Sequence, residues 1–109
     1  MKGDPCPVLY LLHGQSQTEA IWEEMGIVEI LDEMIESGEI SPMIVVMPRE
    51  EKYLEDLNQA DYDQIIIEQL FPYIAANFPV TNEKNGRAIG GISRGAVWAQ
   101  KIAFNHYGY

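Results

Sequence analysis

Hydrophobic positions follow two periodicities that alternate along this chain. Val8, Leu9, Tyr10, Leu11 and Leu12 form an unbroken apolar run of strand length, bounded by Pro7 and by His13-Gly14. Residues 43–47 form a second run, closed by Pro48, and residues 88–92 a third, within a strand expected over 87–92. Continuous rather than alternating hydrophobicity predicts strands covered on both faces, as in a parallel sheet. Between the runs the period lengthens to that of a helix. Ile27, Ile30, Leu31, Met34 and Ile35 share one face, and Ser37-Gly38 ends that segment with glycine just past its last apolar position. Ser16 and Glu19 have capping-box spacing, which predicts an earlier helical piece starting there and interrupted at Gly26. Residues 61–77 read as helix, with Ile67, Leu70, Phe71, Ile74 and Phe78 on one face; Pro72 within it predicts a kink or a restart. In the last helical stretch, residues 96–105, Ala96, Ala99 and Ala103 make a smooth ridge expected to pack on the sheet. Residues 49–63, charged and aperiodic, and residues 82–86 read as loops.

Strand and helix in threefold alternation predict a three-layer α/β domain, with helices on both faces of a parallel sheet. Right-handed crossovers then place the first strand centrally, between the second and the third. The loops that follow the first and third strands meet at the C-terminal edge of the sheet, at the switch point where open α/β sheets form their sites.

Charge and length narrow the function classes. A chain of 109 residues is one domain at most. Its formal net charge of -10 argues against nucleic acid or an anionic membrane surface as partner. No apolar run approaches the roughly 18 residues of a membrane span. Met1-Lys2-Gly3-Asp4-Pro5 holds no apolar signal-peptide region, and Cys6 is the sole cysteine, so a cytoplasmic location is expected. No phosphate-binding loop, dinucleotide fingerprint or metal-ligand cluster is present, so no cofactor or metal is expected.

The chemistry lies at Gly90-Gly91-Ile92-Ser93-Arg94-Gly95, between the third strand and the last helix. In a G-x-S-x-G strand-to-helix turn the serine occupies a strained apex with its hydroxyl exposed, and the positions two before and two after it leave no room for a β-carbon. Gly91 and Gly95 hold those positions. Acyl transfer needs a nucleophile, a base and donors for the oxyanion. Ser93 fits the first role. The backbone N–H of Arg94, at a helix N-terminus, fits as one donor, and that of Gln15, after the permissive Gly14, as the second. A base is harder to find. No Asp or Glu follows Ser93, and His106 is thirteen residues further along the same helix, roughly 20 Å away at 1.5 Å per residue. His13 is nearer, and reads as a histidine that hydrogen-bonds within its own loop and orders it.

The stretches Pro7-Val8-Leu9-Tyr10-Leu11-Leu12-His13-Gly14, Val45-Val46-Met47-Pro48, Glu68-Gln69-Leu70-Phe71-Pro72-Tyr73-Ile74 and Ala88-Ile89-Gly90-Gly91-Ile92-Ser93-Arg94-Gly95 together resemble the putative-esterase group of the α/β-hydrolase superfamily. That group includes feruloyl and acetyl-xylan esterases, S-formylglutathione hydrolase and enterochelin-esterase-like proteins. The resemblance implies a carboxylic-ester hydrolase working through an acyl-enzyme on Ser93, with the Gln15 and Arg94 amides as oxyanion hole and a small-molecule ester as substrate. It implies that residues 1–109 are a partial domain, an incomplete α/β-hydrolase fold without the preceding hairpin and the later strands that bring the acid and histidine of the triad. Little activity is then expected of the chain alone, and self-association is expected through the unpaired edge of the third strand. The alternative is a small non-catalytic α/β binding module.

Overall fold

The computed structural model describes residues 5–15, 17–50, 60–81 and 86–105. Strand β1 (Val8–Leu12) is followed by helices α1 (Ile21–Glu24) and α2 (Ile27–Glu36), then by strand β2 (Ile44–Val46). A longer helical segment comes next: α3 (Tyr62–Ile65), a π-helical turn (Ile66–Leu70) and α4 (Phe71–Asn77). Strand β3 (Arg87–Gly91) and helix α5 (Arg94–Asn105) complete the order.

The three strands are parallel in the order β2-β1-β3, with Val8 opposite Ile44 on one side and Arg87 on the other. This is the α/β architecture expected, with β1 in the middle. The crossover from β1 to β2 and the one from β2 to β3 run in opposite directions, so right-handed connections put their helices on opposite faces. On one face, Leu12 packs with Tyr62, Ile66, Ile67, Trp98, Ala99 and Ile102. Val8 and Tyr10 continue that face along β1 and pack with Ile74. The rings of Tyr10 and Phe71 lie 4.7 Å apart. Leu9 and Leu11 alternate to the other face.

Several helix boundaries differ from those the pattern predicts. The expected capping box involves Ser16, which lies outside the described residues; α1 begins at Ile21, with Ala20 as its N-cap and no side-chain cap. Glycine sets the break before α2 as expected, since Gly26 has φ 82°. Gly38, also at φ 82°, closes α2 with the paired bonds Gly38 N–H to Ile35 O and Glu39 N–H to Met34 O, a Schellman ending. The apolar face of α2 is only half covered; none of its residues is buried, and Ile30 is exposed. Pro72 restarts the helix rather than breaking it: having no N–H to return to the preceding turn, it follows the π-helical turn and opens α4. Phe78 leaves the apolar face as an extended, exposed C-cap.

The alanine ridge of α5 is not the packing face. Ala99 is buried, but Ala96 is half-buried and Ala103 exposed. The helix instead turns Arg94, Trp98 and Ile102 inward, because Trp98, fully buried, is the largest side chain to cover. Most of the loop expected at residues 49–63, and His106, lie outside the described residues.

Candidate active site

The backbone ladder between β1 and β3 runs to the foot of the serine turn, where Ile92 N–H donates to Leu12 O at 3.3 Å. The chain then reverses into α5. Gly95 N–H donates to Ile92 O at 2.9 Å, and Ala96 N–H to Ser93 O at 3.0 Å. Ser93, at the apex, has φ 54° and is the one non-glycine residue with positive φ among those described. That left-handed conformation costs an L-residue on the order of 1 kcal/mol, and the surrounding packing imposes it.

The flanking glycines account for the imposition. A β-carbon on Gly91 would fall on the backbone of Gly95 and 2.9 Å from Ala96 N. One on Gly95 would fall on the carbonyl of Leu12 and 2.6 Å from that of His13. The start of α5 is therefore pressed main chain to main chain against the end of β1, and only glycine permits that approach.

Gly14 brings the second loop to the same place. A β-carbon there would stand 3.2 Å from Ser93 Cβ and 3.3 Å from Ile92 O. Its N–H donates to Gln17 Oε1 at 2.7 Å, and Gln17 N–H donates to Gly14 O at 3.2 Å. Gln15 follows at the exposed rim, and Ser93 is likewise exposed. The structure thus gathers His13, Gly14, Gln15, Gly91, Ser93, Arg94 and Gly95 at one edge of the sheet.

His13 is 2% exposed, and both its ring nitrogens are engaged. Nε2 accepts from Glu50 N–H at 2.9 Å, so Nδ1 carries the proton and donates to Gly14 O at 2.8 Å. A ring so committed has no lone pair to offer Ser93.

Beneath the turn lies a polar cluster that the hydrophobic pattern of the chain does not reveal. Glu50, buried just beyond β2, receives Arg94 Nε at 2.9 Å and Arg94 Nη2 at 2.9 Å, and Trp98 Nε1–H lies 3.1 Å from each carboxylate oxygen. Arg94 also lies over the Trp98 ring, with 5.8 Å from guanidinium carbon to ring centroid, and Tyr62 meets the same indole edge-on. Burial pushes the Tyr62 phenol well above its ordinary value, and the nearby Glu50 and Glu19 carboxylates push it in the same direction. The only trace of this cluster in the sequence is position: Glu50 follows Pro48 at a strand end that the topology brings to the serine edge. Among the described residues no group of three His, Cys, Asp or Glu side chains is arranged to hold a metal, and no helix is long and apolar enough to cross a membrane.

The parallel sheet with its flanking helices is an incomplete α/β-hydrolase-like fold. The chain belongs to the Putative esterase family, which it matches over residues 1–109. It is 31% identical over 118 aligned positions to an endo-1,4-beta-xylanase/feruloyl esterase of Xylanibacter ruminicola, covering 99% of this chain and 16% of that protein. It is 32% identical to an esterase of Mycobacterium tuberculosis, covering 98% of this chain and 24% of the relative. A solved ferulic acid esterase superposes with a TM-score of 0.84 at 33% identity, covering 98% of this chain and 44% of that one. The chain therefore spans less than half the length of each of these relatives.

Proposed function

We propose that this chain carries the nucleophile and the oxyanion donors of a serine carboxylic-ester hydrolase. The observation that carries this reading is the strained backbone of Ser93 at φ 54°, an exposed serine in a turn closed by Gly91 and Gly95. Strain of this kind persists where the surroundings over-determine it, and marks functional turns. Membership in an esterase family and the word esterase in the relatives' names support the ester as substrate class.

In the proposed reaction Ser93 Oγ attacks the carbonyl carbon of the ester as a base takes its proton. The carbonyl π pair moves to oxygen, and the backbone N–H groups of Gln15 and Arg94 receive that oxyanion. Arg94 opens the first turn of α5, where amides point outward and the helix dipole favours negative charge. Collapse of the intermediate expels the alcohol and leaves the acyl group on Ser93; attack by water then releases the acid. The base is not His13, whose ring is spent on Glu50 and Gly14.

An activated organophosphonate tests the assignment. Mass spectrometry should place the adduct on Ser93 and find none in Ser93→Ala. An adduct on Ser37 or Ser41 in place of Ser93 would overturn it.

A further inference from the structure

We propose that Glu50 is a positioning residue that sets the two oxyanion-donor loops relative to each other; this rests on the reading of Ser93 as nucleophile. The motive is that one residue grips both loops with different atoms. Its carboxylate holds the start of α5 through the two-pronged contact with Arg94, at 2.9 Å for each prong, and through the indole N–H of Trp98. Its backbone N–H holds the loop after β1, because it donates to His13 Nε2 and so commits Nδ1–H to the carbonyl of Gly14. The proposed donors, Arg94 N–H and Gln15 N–H, are the amide of the gripped arginine and the amide next to the gripped carbonyl.

A stabilising role alone does not account for the arrangement. Glu50 is 3% exposed and Arg94 6%, and a buried ion pair returns little net stability after both charges are desolvated. What it does provide is geometry: the planar guanidinium meets a carboxylate in one orientation only. An oxyanion site depends on such placement, since its donors act by being fixed before charge develops. The carboxylate takes three donors from the protein itself, so Glu50 acts through its neighbours rather than on substrate.

The test uses the polypeptide as its gene encodes it, with Ser93→Ala as the reference for nucleophile-dependent turnover. In Glu50→Gln one prong and the charge are lost. The expected result is loss of about nine-tenths or more of the Ser93-dependent part of kcat, as misplaced oxyanion donors cause, with KM within about threefold. Nitrogen-15 NMR gives a second readout that needs no turnover: the His13 ring nitrogens and the Gly14, Gln15 and Arg94 amides should all shift in Glu50→Gln. Unmoved resonances overturn the proposal whatever the activity, and so do shifted resonances with an unchanged kcat. If Glu50→Gln fails to fold, the pair Glu50→Gln/Arg94→Met, which leaves no lone buried charge, is read in the same two ways. Full turnover in Ser93→Ala would overturn the nucleophile reading instead, and the clamp is then judged on the resonances alone.

Discussion

Gly91 and Gly95 touch across the serine turn so closely that a β-carbon on the first would fall on the carbonyl carbon of the second. Neighbouring Gly90 is different, since its nearest obstacle is Leu11 Cδ2 at 3.8 Å, an ordinary contact. The two positions therefore separate tight packing from the generic cost of replacing a glycine. Gly91→Ala and Gly95→Ala should each lose about 2–4 kcal/mol in urea denaturation, as forced overpacking against backbone does, while Gly90→Ala should stay within about 0.5 kcal/mol of the parent. Equal stability of Gly90→Ala and Gly91→Ala would show that the turn is looser than described.

Tyr62 offers a prediction with a pH signature. Its hydroxyl is buried with no hydrogen-bond partner among the described residues, and burial, with Glu50 and Glu19, holds its proton on. The folded-state value is raised above that of the unfolded chain, about 10. Below pH 10 both states keep the proton and the group has no effect on stability. Above it the unfolded chain ionises first, so stability falls as pH rises from 10 toward the folded value. At pH 11 the loss from this group is on the order of 1 kcal/mol. Tyr62→Phe removes that loss along with an unsatisfied hydroxyl, and should equal or exceed the parent at pH 8. Urea titrations of both proteins at pH 8 and pH 11 give the comparison, and the gap between them should widen at the higher pH.

Legibility in the sequence followed the range of the interactions. Strand β1 has the bounds its apolar run predicts because Pro7 and His13-Gly14 punctuate it locally. Gly26 and Gly38 announce their left-handed conformations because nothing but backbone sterics decides them. The order β2-β1-β3 follows from crossover handedness. What could not be read depends on tertiary partners. Trp98 overrides the Ala96-Ala99-Ala103 ridge because burying an indole outweighs the close approach of small residues. Glu50 sits in a charged, aperiodic stretch, and the arginine that gives it meaning is 44 residues away. His13 illustrates the middle case: its place at the site follows from topology, but the use of both ring nitrogens depends on Glu50 N–H.

Strain at Ser93 predicts opposite effects of two small substitutions. Alanine keeps the β-carbon that disfavours φ 54°, whereas glycine relieves it. Some of that relief is offset by the greater freedom of glycine in the unfolded chain, worth about 0.4–1 kcal/mol. Ser93→Gly should therefore be at least as stable as Ser93→Ala and the parent, by up to about 0.6 kcal/mol, with no phosphonate labelling in either. Denaturation of the three proteins side by side decides it. Ser93→Gly clearly less stable than Ser93→Ala would mean that the serine conformation is not strained.

The last prediction concerns turnover by residues 1–109 on their own. In the proposed site the Gln15 and Arg94 amides serve the oxyanion, but the one described histidine at the edge is buried and doubly hydrogen-bonded, and no Asp or Glu follows Ser93 in the sequence. An oxyanion hole without its base retains a residual 10³- to 10⁴-fold over water in enzymes where a triad member is removed, far below a working esterase. On p-nitrophenyl acetate the 109-residue chain should therefore hydrolyse slowly, with Ser93→Ala lower by about tenfold or less. His13→Ala should also lose activity, through disorder of the Gly14 loop, and should lose it equally across pH. A fall in rate on the acid side of the parent's pH profile that vanishes in His13→Ala, together with a large Ser93-dependent rate, would make His13 the base. In that event its ring must leave Glu50 N–H during turnover, and hydrogen exchange at the Glu50 amide should be fast; a slow amide there, with the flat profile, keeps His13 as the residue that orders the loop.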